Sequence, residues 1–479
     1  METTDQFPEA SKGVAYQKIN DALTHQPLFE NKTWQLSPFP WLLNEKERGP
    51  LENIGKACLA FHEALENLYL RSVEGKNILR NGTLLTPWVA DYLDRGKPSW
   101  LIEHAKDKRL RNRFPKVIRP DLLWTDDGWK LTELDTVPGG IGLTAFLSEL
   151  YCGAGHPYHV LGGQGHMLSH FYDSVMEEAP RGVNNPSLVI LVSDEAATYR
   201  PEMVWISDCL QRRGKRVFVR HPKELMPLGE GLCVDRDGEP LKVDLIYRFF
   251  ELFDLPAFPH LETVLDFWEE GNVDITPPMR PFQEEKLAMA LFHHPRLAQY
   301  WKEALGRKER RILQNIIPST WIVDPAPLPP HGLINGPEIG GAAIYDWRQL
   351  MEASQKDRNL ILKISGFDET AWGARSVTLG SDTSREEWAE SMEEALASKN
   401  SYFILQTYHK PSRLKHPIYK SPKKIEVCEG RLRLCPYYFI RNATPYLSGA
   451  LATFCPVDKK IIHGMSDAAM LPVAFQNEC

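Results

Sequence analysis

Two short segments carry the residues most suited to chemistry. Arg119-Pro-Asp121 and Glu133-Leu-Asp135 each place two charged side chains two positions apart, and such pairs share one face of a strand. Thr125-Asp-Asp-Gly128 between them has the composition of a tight turn, so Lys116 to Leu123 and Trp129 to Asp135 are expected to pair as a β-hairpin. One guanidinium and three carboxylates would then meet on one surface. Magnesium takes hard oxygen ligands, usually one or two carboxylates with phosphate oxygens and water. An arginine beside them can hold charge on a transferring phosphoryl group. The same spacing also suits a solvent-facing hairpin laced by cross-strand ion pairs. Pro138-Gly-Gly-Ile-Gly142 follows and opens an apolar helix from about Leu143 to Cys152. Glycines before a helix let backbone N–H groups approach an anion.

A second group lies in the last third. Leu360-Ile-Leu-Lys363-Ile-Ser-Gly366 runs from a strand into a loop that continues through Gly373, Arg375 and Ser376. Backbone amides, Ser376 and Arg375 there could donate to phosphates; the alternative is an ordinary surface loop behind a strand lysine. Tyr402-Phe-Ile-Leu-Gln406-Thr-Tyr408 is an apolar strand ending in polar residues, suited to the faces and edge of an adenine or to a plain core position. Lys286 follows Pro281 at a helix start.

The elements positioning these groups follow from periodicity. Residues 48 to 115 have helical patterning, with Ile54, Ala57, Cys58, Phe61, Leu65 and Leu68 near a 3.6 repeat. Ser187–Val192, Arg200–Arg213, Arg216–Arg220 and Val243–Phe250 alternate strand and helix patterns, as in a Rossmann-like layer. Gln283 to Leu305 is expected to be helical, Pro325 to Gly341 a long Pro/Gly-rich loop, and the remainder β-rich around a helix at about Ser384–Ser398. This predicts a helical region over 1–115, a hairpin and its following helices over 116–180, a Rossmann-like domain over 185–275 and a nucleotide-binding domain over 280–479.

The formal net charge of -7 argues against a dedicated nucleic-acid binder, which would show a basic excess. The N-terminus lacks an apolar run behind basic residues, and no apolar stretch approaches a membrane span of about 18 residues. A cytoplasmic protein is expected. Its eight cysteines form no CxxC and would serve as reduced, small core residues.

Together, Arg119-x-Asp121…Glu133-x-Asp135 first, then the Lys363 glycine loop and the Gln406 strand, resemble the circularly permuted branch of the ATP-grasp superfamily, the glutathionylspermidine synthase-like proteins. The resemblance spans about residues 115 to 455 and implies an α+β / α/β permuted ATP-grasp fold with a Rossmann-like pre-ATP-grasp domain. It implies ATP and two Mg²⁺ as cofactors, and small-molecule carboxylate and amine substrates joined through an acyl phosphate. Asp121, Glu133 and Asp135 would be metal ligands, with Asp135 standing where the branch usually has Asn. Arg119 and Arg375 would be catalytic. Lys286, Lys363, Gly366, Gly373, Ser376, Gln406 and Tyr408 would hold the nucleotide, and Asp244, Tyr247 and Arg248 would lie toward the acceptor. The segment Leu447-Ser-Gly-Ala-Leu-Ala452 departs from the branch in lacking Gly-Gly and a following Arg.

Two other classes compete. His156, His159, His166 and His170 cluster near Cys152, and His166 and His170 are spaced i,i+4, as zinc ligands of a hydrolase can be; they lack HExxH and also suit polar loop histidines. A non-catalytic ATP-binding protein would share the nucleotide residues without turnover.

Overall fold

The hairpin closes where the turn residues direct it. Strands Val117–Thr125 and Gly128–Asp135 are antiparallel, with Thr125 opposite Gly128 and only Asp126 and Asp127 between. Gly128 has φ +86°, a conformation that costs glycine nothing, and the Thr125 hydroxyl donates to its carbonyl at 2.7 Å. Arg119 pairs with Asp135 and Asp121 with Glu133, ahead of a register shift at Asp121/Leu122. The computed structural model containing these elements describes residues 13–29, 32–153, 158–371, 375–459, 462 and 466–476.

The hairpin forms one end of a sheet with nine strands among the described residues. From it the order runs to Lys424–Arg441, Thr444–Pro456, Ser466–Gln476 and Thr33–Gln35. One strand runs unbroken over Lys424–Arg441, through Gly430. Gly430 is accommodated because the Phe454 ring and the Cys455 carbonyl lie where a Cβ would go, as near as 2.4 Å. The N-terminal stretch is not wholly helical. Thr33–Gln35 and Trp41–Asn44 run parallel to Ser466–Gln476.

The region after 186 forms a second, wholly parallel sheet in the order Asp274–Thr276, Leu245–Phe249, Leu188–Val192, Val217–Arg220. Leu188–Val192 is buried at every position, as a strand covered on both faces must be. Helix Arg200–Gln211 packs on it through Met203 and Ile206. One apolar core unites these side chains with Ile141, Phe171, Tyr247, Tyr437 and Phe439, so the parallel sheet and the hairpin sheet share an interior.

A separate antiparallel sheet has the order Thr320–Val323, Phe403–Thr407, Leu360–Ile364, Thr378–Leu379. Helix Arg385–Ala397 covers it, started by a Ser384/Glu387 capping box and anchored by the fully buried Trp388. The helix expected over 283–305 is broken into Leu287–His293, a short turn at Pro295–Leu297, and Ala298–Ala304. Pro295 lacks an N–H and disfavours helical geometry at His294, which is extended.

The chain forms two compact units. The first contains 1–56, 115–278 and 411–479, and therefore both the hairpin and the parallel sheet; the second contains 57–114 and 279–410. The segment 1–115 is thus divided at 56/57 and the segment 280–479 at 410/411. No described helix is long and apolar enough to cross a membrane.

Candidate functional site

The four hairpin charges meet as the spacing predicts, and a fifth joins them. Arg119 Nε donates to Asp121 Oδ1 at 2.8 Å, and its Nη2 lies 3.1 Å from Asp135 Oδ2. Asp121 is 2% exposed, and its other oxygen lies 3.3 Å from Arg433 Nη1. Glu133 sits opposite Asp121 in the register, on a less buried position. Arg433 was not singled out in the sequence; it enters from Lys424–Arg441, which pairs Arg433 with Leu123. Its Nε is buried with no acceptor, an orphan donor of the kind an anion would satisfy.

Burial and charge oppose one another here. Burial alone would raise the Asp121 carboxyl pKa, but Arg119 and Arg433 outweigh it, and Asp121 stays below the ordinary carboxylate value. Burial likewise works against the Arg119 cation, yet Asp121 and Asp135 hold its pKa well above the ordinary value. Asp135 goes the other way: burial, with Glu133 adding to it, raises its pKa against the pull of Arg119.

The glycine stretch beside the hairpin differs from the anion cradle expected of it. Gly140, with φ +83°, caps helix Ile141–Cys152. The acceptor at this helix start belongs to the protein: the buried Glu202 carboxyl accepts from Gly140 N at 2.7 Å and from Leu143 N at 3.4 Å. Burial raises its pKa to about 7, against those two hydrogen bonds. The Gly139 carbonyl accepts from Arg119 Nη1 at 2.9 Å and from the Tyr437 hydroxyl at 2.8 Å. Side chains are excluded here. A Cβ on Gly139 would lie 2.3 Å from the Tyr199 ring, and one on Gly142 would lie 2.8 Å from the Glu202 carbonyl.

The three residues expected toward an acceptor take different places. Asp244 precedes Leu245–Phe249, at the amino end of the parallel sheet, and accepts from Ser187 N at 2.8 Å and Ser187 Oγ at 3.0 Å. Open α/β sheets bind ligands at the carboxyl end, so Asp244 stands at the opposite edge. Tyr247 is fully buried against Phe171. Asp135 and Glu202 both act on it electrostatically, which associates it with the hairpin group. Arg248, also fully buried, donates to the carbonyls of Phe250 at 2.9 Å and Pro277 at 3.3 Å.

In the second unit, Lys363 and Gln406 are brought together: Lys363 Nζ donates to Gln406 Oε1 at 3.2 Å, and Gln406 Nε2 donates to Thr320 Oγ1 at 3.0 Å. Lys286 Nζ donates to the Ala371 carbonyl at 2.6 Å, in the loop that follows Gly366. Gly366 packs on Glu285, whose carboxyl lies 3.0 Å from where a Cβ would be. Arg375 is exposed and reaches the Glu369 carbonyl at 3.3 Å. Ser376 lies in the turn beside Arg375, and Tyr408 N donates to the Asn359 carbonyl at 3.1 Å. Gly373 lies outside the described residues.

Of the histidines, His156 also lies outside the described residues. His166 and His170 stack at 6.3 Å, and His170 Nδ1 is 3.0 Å from Ser448 Oγ. Among the described residues no three His, Cys, Asp or Glu side chains converge as a metal cage. The hairpin donors nevertheless fit a hard cation that brings phosphate with it. A carboxylate oxygen hydrogen-bonded to an arginine keeps a second lone pair, and magnesium needs only one or two such ligands. The orphan Arg433 Nε suits the phosphate.

Comparison with known proteins places the fold. No protein-family model and no curated protein matches the sequence. Among solved structures, the chain is similar to a glutathione synthetase-like effector (GSS30) from Globodera pallida in its apo form. The identity is 13%, the TM-score 0.50, and the match covers 99% of this chain and 98% of that one. The mixed α/β fold is thus shared along nearly the whole of both chains. A provisionally assigned gamma-glutamylcysteine synthetase from Methylobacillus flagellatus overlaps at 10% identity and a TM-score of 0.41, over 85% of this chain and 86% of that one. That overlap is too loose to bear on the fold.

Proposed function

We propose that the protein is an ATP- and magnesium-dependent carboxylate–amine ligase of the permuted ATP-grasp type, similar to glutathionylspermidine synthase and acting through an acyl phosphate. The observation carrying this reading is the partly buried hairpin group in which Arg119 and Arg433 flank the buried Asp121, beside Glu133 and Asp135. Two guanidiniums and three carboxylates on a rigid sheet are the donors that metal-assisted phosphoryl transfer requires. The fold shared with a glutathione synthetase-like protein supports it.

In this reading a substrate carboxylate attacks the γ-phosphorus of ATP and ADP leaves. An amine then attacks the acyl carbon and phosphate leaves. Magnesium, drawing one or two ligands from Asp121, Glu133 and Asp135, would neutralise phosphate charge. Arg119 and Arg433 present guanidinium N–H groups to the transferring group. Lys286 and Lys363 neutralise the nucleotide phosphates, with Gly366, Gly373, Arg375 and Ser376 as the loop over them, and Gln406 and Tyr408 border the base. Loop closure would exclude water that hydrolyses an acyl phosphate.

The test is ADP release from purified protein with Mg-ATP across a panel of acid and amine pairs, with mass spectrometry of the product. ADP formed only when acid and amine are both present, with the condensed amide recovered, is the expected result. Nucleotide binding without ADP release for any pair would instead make the chain an ATP-binding protein without turnover.

A further inference from the structure

We propose that Glu202 is a positioning residue for the ligase reaction, holding Arg119 in place through the peptide bond between Gly139 and Gly140. This rests on the reading of the hairpin as the phosphoryl-transfer site. The carbonyl of Gly139 and the N–H of Gly140 belong to the same peptide plane. The carbonyl side takes Arg119 Nη1 and the Tyr437 hydroxyl, at 2.9 and 2.8 Å. The N–H side donates to Glu202 Oε1 at 2.7 Å. One rigid plane thus connects a buried carboxylate on helix Arg200–Gln211 to the guanidinium on the hairpin.

The surroundings leave this plane little freedom. Gly140 holds a left-handed conformation, and a Cβ there would lie 2.6 Å from the Tyr437 hydroxyl oxygen. Gly139 is closed off by the Tyr199 ring and Gly142 by the backbone of Glu202 itself. A carboxyl oxygen accepting from the N–H polarises the peptide and strengthens its carbonyl as an acceptor. The remaining arginine contacts run to Asp121 and Asp135, which are to bind the cation. The Gly139 carbonyl is therefore the one neutral hydrogen-bond acceptor of Arg119 among its described partners, with the Tyr437 ring 6.0 Å from the guanidinium carbon, and it does not change ligands when the carboxylates do.

Glu202→Leu removes the acceptor at nearly constant volume, and Glu202→Gln keeps one acceptor oxygen. The purified variants are compared by circular dichroism, by kcat and KM for ATP with the acid and amine pair, and by hydrogen exchange of the 136–144 segment. The Leu variant is expected to lose about 10- to 100-fold in kcat, as a misplaced catalytic group does, with KM for ATP within about threefold and faster exchange at Gly140. The Gln variant is expected to recover most of kcat and the protection. A folded Leu variant with wild-type kcat and unchanged exchange overturns the proposal. Should the Leu variant fail to fold, Gln decides. Retained protection and kcat support the clamp, and loss of either in a folded protein overturns it. Absence of turnover in the wild type defeats the ligase reading alone, and the exchange comparison still decides whether Glu202 holds the peptide.

Discussion

Lys97 Nζ lies 2.6 Å from Glu285 Oε1, and the two side chains are 3% and 5% exposed. The other Glu285 oxygen accepts from the Ser365 hydroxyl, which in turn accepts from Leu287 N at 2.8 Å. This dry ion pair therefore sits directly under Gly366, where the loop assigned to the nucleotide begins.

Removing one partner of such a pair strands the other charge. Lys97→Met is expected to cost about 3–5 kcal/mol, and adding Glu285→Leu should recover much of that loss. Guanidinium denaturation of both variants measures this. A single variant as stable as wild type would show that the pair contributes nothing.

Glu202 gives stability a pH dependence with a definite sign. Burial raises its pKa from 4.5 to about 7. Between those values the folded protein retains a proton that the unfolded chain has released, so stability falls as pH rises through this window. The full effect is about 3 kcal/mol. Below pH 4.5 the contribution is fully present. Thermal melts at pH 5 and pH 8 should differ less for Glu202→Gln than for wild type; an equal difference in both would remove Glu202 as the source.

Glu133 is the cleaner probe of the metal assignment. Asp121→Ala leaves Arg119 and Arg433 without their shared carboxylate, so a loss of activity there mixes chemistry with about 2–4 kcal/mol of instability. Glu133→Gln, on a less buried position, should reduce ADP formation at least about 100-fold with an unchanged melt. Wild-type ADP formation in that variant would remove Glu133 from the site.

Lys363→Met should weaken binding of a non-hydrolysable ATP analogue about tenfold or more, because a buried ammonium facing phosphate is worth at least about 1.4 kcal/mol. Calorimetry gives the value directly. Unchanged affinity would remove Lys363 from the nucleotide site.

The hairpin was legible because its information is local: alternation, an Asp-Asp-Gly turn and two charged pairs at a spacing of two. Arg433 was not legible, since its approach to Asp121 depends on a strand pairing between distant parts of the chain. Glu202 carries no mark in its own helix; it comes close because Gly142 leaves room for its backbone, and Gly140 supplies the N–H it accepts from. The break at Pro295 was visible and should have divided the predicted helix. The parallel pairing of Trp41–Asn44 with the last strand leaves no local signature, because long-range register follows from packing rather than from either segment alone.

That last strand has a consequence for biogenesis. Ser466–Gln476 lies inside the large sheet, between Thr444–Pro456 and the N-terminal strands. During synthesis the ribosome releases Asp121 well before Arg433, and Trp41–Asn44 well before their parallel partner. The hairpin must therefore wait, with a carboxylate lacking one of its two counter-ions, until Arg433 emerges. Non-local sheets of this kind assemble slowly and expose unpaired edges meanwhile.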